Sequence, residues 1–462
     1  MLEILQGSCC VSRYKVAKTS SNSILDHHFE DDKNIMTKQL NVWILQTGEP
    51  LHTDPGHPRP MRAMNLANAL TKAGHKVVLW SSAFYHQEKK HRCHETQCMT
   101  FSRLLEIRLI PSPGYSRNIG FDRLWDHKVL ALNLKKLLRQ EKTVPDVAFI
   151  GYPPIETATV FSTWLVKRNV PFILDVRDLW PSVFLEAMPA AVRMFGRLIL
   201  TPYFMLAKDT IKRATGISAM ADSFLERVLK LGGRKKSSLD RVFPLTSTVN
   251  SATASALAAA EKWWTEFGLQ EDAKFRVFYV GNLSSNVDLK PVKDAAIFFM
   301  KHRTPVEFMI CGDGVSLETF KKMMAGLDNV HFPGRIDQVQ MLSLASHCKA
   351  ALIPYVNSEN FQLSLPNKTL DALSLGLPIF SSLQGEVASL ISEHKVGMSY
   401  GPATQKSLQE CIEFALKESA DLEKMAQNAL NLYQEKFSFP KIYGDLVVHL
   451  EMLVKTEVTP QI

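Results

Sequence analysis

The sequence predicts an α/β protein built from two Rossmann-like domains facing a cleft, with helices at its C-terminus. Short apolar runs alternate with helix-patterned segments along most of the chain, the pattern of a parallel sheet covered on both faces. The runs fall into two series, parted by an alanine-rich stretch, SATASALAAAEKWW, at 251–264. The chain's 462 residues, 46% hydrophobic and 22% charged, suffice for two cores.

Taken in order, residues 1–35 are polar and aperiodic, which predicts a disordered extension or a mis-assigned start with Met36 as the initiator. The first domain, 36–250, opens with the strand NVWILQT, the helix MRAMNLANALTKAG and the strand HKVVLWSS. Its later runs are EIRLIPS, DVAFIGY, PFILDV, GISAM and RVFPL. Residues 251–273 read as a linker. The second domain, 274–435, carries FRVFYVG, VEFMICG, NVHFPG, AALIPY, LPIFSS and VGMSY. After about Gln405 the pattern is helical, and Pro440 precedes a last helix, KIYGDLVVHLEMLVK. That segment, 436–462, is expected to return to the first domain.

Composition narrows the function. No run of about 20 apolar residues occurs, and the N-terminus lacks a basic-then-apolar leader, so a cytoplasmic protein is expected. Seven cysteines at irregular spacings do not form a disulfide framework. The net charge of +8 is uneven: residues 36–230 hold 27 Lys+Arg against 16 Asp+Glu, and residues 231–462 hold 23 against 25. A basic first half suits an anionic partner such as nucleic acid, lipid headgroups or a lipid diphosphate, or is simply a soluble basic surface. His86, His91, Cys93, His94 and Cys98 follow no zinc spacing, so no metal site is expected.

Ligands of open α/β sheets sit at the carboxyl ends of the strands, so the residues that follow the apolar runs carry the information. In the second domain these are Gly281-Asn282 with Lys290 at a helix start, then Gly312-Asp313-Gly314, then Gly334-Arg335-Ile336. Glycine turns admit close backbone approach, and a helix start with a lysine suits a diphosphate. In SLPNKTLDALSLG, Lys368 and Asp371 form either a solvated pair or two contacts to one ligand. In the first domain, Arg59 and Arg62 follow a proline-rich loop, Gly48–Pro60. LDVRDLWP places Asp175, Arg177 and Asp178 just past a strand, where charges are paired or hold a ligand.

The ordered series from Gly281-Asn282 and Lys290 through CGDG, FPGRI, ALIPY and PNKTLDALSLGLPIFSS to Gly385-Glu386 resembles the donor domain of retaining glycosyltransferases of the GT-B fold, family 4. The segment GEPLHTDPGHPRPMRAMNLANALTKAGHKVVLWSS resembles the opening of bacterial enzymes that build O-antigen and capsule repeats, and LDVRDLWP is similar to a segment of that group. The resemblance implies a nucleoside-diphosphate-sugar donor held by the second domain and no divalent metal or other cofactor. It implies an acceptor in the first domain, here a polyprenyl-diphosphate-linked saccharide, and no nucleic acid. Lys290 would hold the donor diphosphate, with Asn282 standing where many relatives carry an arginine. Gly334, Arg335 and Ile336 would lie against the base. Lys368 would meet the diphosphate and Asp371 the ribose, with Gly281, Gly312, Asp313, Ser364, Leu365 and Glu386 around them. Asp178 would face the reacting centre beside Arg177, or pair structurally with it. The family's paired glutamates are altered: the second matches Asp371, and the first falls on Leu363. A catalytically silent nucleotide-sugar-binding protein and a nucleotide-sugar epimerase are the rival readings.

Residues 190–213 form an apolar helix pattern edged by Arg193, Arg197, Lys208, Lys212 and Arg213. They suit either docking on an anionic inner membrane from its cytoplasmic face or an internal helix of the first domain.

Overall fold

The computed structural model describes residues 38–56, 58–117, 120–186, 188–246, 252–270 and 272–455. The extension or alternative start expected at residues 1–35 lies outside the described residues. The first sheet draws on β1 (Asn41–Leu45), β2 (Lys76–Ser82), β5 (Gln97–Ser102), β6 (Leu105–Ile110), β7 (Val147–Tyr152), β8 (Phe172–Val176), β9 (Gly216–Ala219) and β10 (Arg241–Val242). A separate hairpin, β3 (Phe84–Tyr85) and β4 (Lys90–His91), projects from the end of β2. The order is β10-β9-β8-β7-β1-β2-β6-β5, parallel throughout except for β5, which runs antiparallel at the edge. Strand β1 sits mid-sheet, with Val42 opposite both Val77 and Val147.

The second sheet contains β11 (Phe275–Val280), β12 (Val306–Cys311), β13 (Val330–Gly334), β14 (Ala350–Ile353), β15 (Ile379–Ser381) and β16 (Gly397–Ser399). Its order, β13-β12-β11-β14-β15-β16, is that of a doubly wound dinucleotide-type sheet, all parallel. The expected α/β class with two such sheets is what the structure shows. Each expected apolar run is a strand because both faces are covered: FILDV and VAFIGY are buried along their whole length. Strand β5 was not expected, since QCMTFS is exposed and lacks an apolar face.

One apolar cluster fills one side of the first sheet, with Trp43 stacked on Trp164 at 5.4 Å, and continues into the second domain as far as Ile379. The opposite side of the first sheet is covered by the last helix, Phe439–Lys455, whose Ile442, Leu446, Leu450 and Leu453 recur at helical spacing beside Val42 and Ile44. His75 fastens this helix: its Nδ1 accepts from the Leu40 amide at 3.2 Å, and its Nε2 donates to Glu451 at 2.9 Å. Within 251–273, expected as a linker, residues Ala254–Phe267 form a helix seated on Gln338–Ser346. Trp264 is fully buried there and donates to the Gln340 carbonyl at 2.9 Å.

A buried polar group in the first domain makes stability sensitive to pH. His127, on the helix Phe121–Gln140, lies against Trp180, with Glu156 3.8 Å away. Burial and the nearby Arg123 hold its imidazole neutral, down at about 3. A folded-state value below the unfolded one means stability that is present above about pH 6.5 and lost as pH falls. Urea titration should show His127 costing about 2 kcal/mol between pH 7 and pH 5. His127→Phe should flatten the profile by that amount, and an unchanged profile would place His127 in contact with water.

Candidate active site

Strand order reverses between β1 and β7 in the first sheet and between β11 and β14 in the second. Ligands of doubly wound sheets bind beyond the strand ends at such reversals. The segments that leave β1, β11 and β14 supply Glu49, Arg59, Lys290, Lys368 and Asp371, and those after β8, β12 and β13 supply the other groups described below.

Beneath the first-domain side lies a buried ionic network. Glu49, just after β1, accepts from the Ala63 amide at 2.8 Å, at the start of the helix Arg62–Lys72, and pairs with Arg177. Arg177 also lies 3.4 Å from Asp175, whose other oxygen accepts from Ser218 at 2.6 Å. Arg62 stands 3.6 Å from Asp175 and donates to the Phe243 carbonyl. Two carboxylates and two guanidiniums cancel, which is how charges survive below solvent. The structural Asp–Arg pair in LDVRDLWP is therefore Asp175 with Arg177. Asp178 turns away from it and meets the second domain: its Oδ1 accepts from Asn360 at 3.4 Å, and Asn360 accepts from the Leu179 amide at 3.1 Å. Burial pushes the Asp178 carboxyl up, with Arg177 and Asn360 working against the shift.

In the second domain the three glycine turns are stitched to one another. The Gly281 amide donates to the Cys311 carbonyl at 3.0 Å, and the Gly312 amide donates to Gly334 at 2.7 Å. A Cβ on Gly312, which has φ +143, would run into the Gly281 carbonyl, and one on Gly314 would run into Leu283. These two glycines are required by backbone packing between turns. Gly334, at φ +86, has open space beside it. Asn282, Asp313 and Arg335 are exposed along this edge, with Ile336 partly covered. Lys290 is exposed in the first turn of the helix Lys290–Lys301.

Asp371 is the hub. It lies on the helix Asn367–Ser374 with its side chain 11% exposed. Arg59, from the proline-rich loop, grips both carboxylate oxygens, at 2.6 and 3.1 Å, and Lys368 donates to one of them at 3.2 Å. Burial alone would raise the Asp371 carboxyl, but Lys368 and Arg59 outweigh it and hold it below its usual value. Both readings of the Lys368–Asp371 pair thus meet a third participant, Arg59, that lies 312 positions away.

Further contacts cross between the domains. Arg227 donates to Glu359 at 2.6 Å, Glu386 accepts from the Ser223 amide at 3.1 Å, and Arg335 lies 3.5 Å from Glu88. Leu363, which was expected to stand where a carboxylate is usual, is partly buried against the apolar core. Its neighbours Glu359 and Asn360 point to the first domain, so neither takes that place. Ser364 and Leu365 are buried directly behind it. Within the His/Cys cluster, His86 bonds Tyr115 and Cys93 donates to the Glu95 carbonyl, while the rings of His91 and His94 lie 4.9 Å apart. Among the described residues no group of three or more His, Cys, Asp or Glu is placed to hold a metal ion.

Residues 263–432 match the glycosyl transferases group 1 family. D-rhamnosyltransferase WbpZ of Pseudomonas aeruginosa is 30% identical over 115 residues, which is 24% of this chain and 29% of that transferase's length. Among solved structures, sucrose-phosphate synthase from Thermosynechococcus elongatus superimposes with TM-score 0.67 at 15% identity, covering 90% of this chain and 100% of that one. HepE of Anabaena, solved in complex with UDP-glucose, gives 0.60 at 12% identity, covering 90% and 100%. The fold is that of the GT-B glycosyltransferases.

Two outcomes test this geometry. Gly312→Ala should cost roughly 2–4 kcal/mol in chemical denaturation, from strain at positive φ plus a backbone clash, and Gly334→Ala only about 1. Equal costs would show that the turns are not mutually packed. A double-mutant cycle on Arg59→Ala and Asp371→Ala should give a coupling of about 1–3 kcal/mol. Simple additivity would reduce the pair to a solvated contact.

Proposed function

We propose that the protein is a retaining glycosyltransferase that moves a sugar from a nucleoside-diphosphate-sugar to a lipid-linked saccharide of surface polysaccharide synthesis, without a divalent metal. What supports this reading is that Lys290 opens the helix after β11 and the Lys368–Asp371 pair follows β14, the two strands that flank the strand reversal, within the residues 263–432 that match glycosyl transferases group 1. The UDP-glucose complex of HepE supports a nucleotide-sugar as the donor.

In this reading Lys290, at a helix N-terminus, and Lys368 take the donor diphosphate, and the base lies along Gly334–Ile336. Asp371 accepts from the ribose hydroxyls, sharing or exchanging its grip on Arg59. The anomeric C–O bond to the diphosphate breaks while the acceptor oxygen bonds the same carbon on the same face. The acceptor proton passes to a departing diphosphate oxygen. Cations positioned on the leaving group and close placement of the acceptor supply the rate. Asp178, held at the domain boundary, orients the acceptor hydroxyl.

A silent sugar-binding protein is the reading that Leu363 favours, since the sugar-orienting carboxylate is missing. A panel of nucleotide-sugars with lipid-linked saccharides separates the two. Nucleoside diphosphate release that depends on acceptor is expected. Saturable nucleotide binding with no release from any donor would establish the silent reading, and a 2-epimer product the epimerase. With an active donor, Lys290→Ala and Lys368→Ala should each lower kcat/KM more than about tenfold, because each removes a charge-assisted contact of roughly 1.5–3 kcal/mol. Unchanged kinetics in both would move the donor site elsewhere.

A further inference from the structure

The hairpin β3–β4 stands apart from the first sheet and reaches the second domain. Phe84 pairs with His91 and Tyr85 with Lys90, which leaves residues 86–89 as its tip. The foot of the hairpin is pinned. Arg92, just after β4, grips the two oxygens of Asp54 at 2.6 Å each and donates to the carbonyls of Ser82, at 2.8 Å, and Glu49, at 3.1 Å. Phe84 and Tyr85 are both buried. Burial and a two-point ion pair together fix where the tip stands.

At that tip Glu88 meets Arg335 of the second domain, 3.5 Å away. Arg335 follows Gly334, the last residue of β13, which has open space beside it. The Arg335 side chain is 70% exposed and that of Glu88 41%, and Lys90 lies 3.8 Å from the other Glu88 oxygen. Ion pairs this exposed open at little cost. Both groups are then available to a ligand seated at Gly334, where the glycosyltransferase reading puts the nucleotide base.

What they present is a planar fork that only donates beside a carboxylate that only accepts. Guanine displays the complementary order along one continuous edge: two acceptors, N7 and O6, then two donors, N1–H and the 2-amino group. An arginine meets N7 and O6 in a two-point contact, and a carboxylate matches two adjacent N–H groups. Uracil sets its single N3–H between two carbonyl oxygens, both of which repel a carboxylate. Adenine and cytosine each offer a carboxylate one amino group and no second donor.

We propose that the hairpin tip and the edge after β13 together read the nucleotide base, and that the donor they select is a guanosine-diphosphate-sugar. Arg335 donates to N7 and O6, and Glu88 accepts from N1–H and the 2-amino group. In the free protein the two side chains hold each other, and the base enters by replacing that contact. Choice of base is thereby shared with the first domain, and a bound guanine draws the two domains together. This assignment rests on the reading of the second domain as the donor site.

Calorimetry with free nucleotides on the full chain tests it without turnover. GDP should bind at least about tenfold more tightly than UDP, CDP or ADP. Glu88→Ala, at an exposed hairpin tip, should lower GDP affinity about tenfold and change UDP affinity less than about twofold. Inosine diphosphate lacks the 2-amino group. It should bind the wild-type chain about fivefold more weakly than GDP, and Glu88→Ala should abolish that difference. Arg335→Ala should weaken GDP and inosine diphosphate by the same factor, since both keep N7 and O6. Equal losses of GDP and UDP in Glu88→Ala would make the Glu88–Arg335 pair a plain domain-closing contact and overturn the base assignment. So would a wild-type chain that prefers UDP, CDP or ADP; if Lys290→Ala then weakens the preferred nucleotide, the donor site itself stands. A chain that binds none of the four would remove the donor site and the guanine assignment together.

Discussion

The buried carboxylate of Asp371 is the constraint on which the closed arrangement of the two domains depends. A carboxylate that is 11% exposed stays ionised only if cations compensate for its lost hydration. Lys368, one turn earlier on the same helix, supplies one cation, and Arg59 from the other domain supplies the second. The helix Asn367–Ser374 therefore cannot satisfy its own aspartate as fully as it can with the proline-rich loop against it. The stiffness of that loop now has a purpose, since it delivers a guanidinium across the cleft in the flat, two-point geometry that a carboxylate matches.

The fold was readable because its strands are buried on both faces, which leaves uninterrupted runs such as AALI and VAFIGY that no amphipathic helix would show. Where that condition fails, so does the reading: β5 is exposed and polar, and the helix Ala254–Phe267 opens on an alanine-rich turn pattern but is anchored by Trp264. Local chemistry marked Lys368 and Asp371 as a pair worth explaining, because they lie three residues apart. Arg59 could not be joined to them from spacing, since nothing in a linear pattern encodes a contact across 312 positions.

The glycines teach the opposite lesson. Their position after successive strands suggested space for a ligand, and the space is partly used by the protein itself. Gly312 and Gly314 bring the turns after β11 and β12 into backbone contact, which stiffens the edge against which a ligand would bind. A rigid edge serves recognition too, because donors that are held by packing need no reordering when a phosphate arrives. The Asp-Arg-Asp segment divides in the same way. Asp175 and Arg177 close a charge-balanced network below the surface, and that network sets the strand end from which Asp178 reaches the domain boundary.

Contacts across the cleft differ in kind from those that join the domains behind it. Behind it, one apolar cluster runs from Trp43 to Ile379, and apolar burial of that extent has no small-molecule substitute. At the mouth the joining groups are Arg59 with Asp371, Arg227 with Glu359, and the Ser223 amide with Glu386. Arg227 and Glu359 are exposed enough for water to replace either partner at little cost, whereas releasing Arg59 would leave Asp371 with Lys368 alone. The domains are thus joined by apolar packing behind the cleft and by polar contacts at its mouth. Leu363 fits that division, because its partly buried side chain packs against the apolar cluster and leaves the mouth to polar groups.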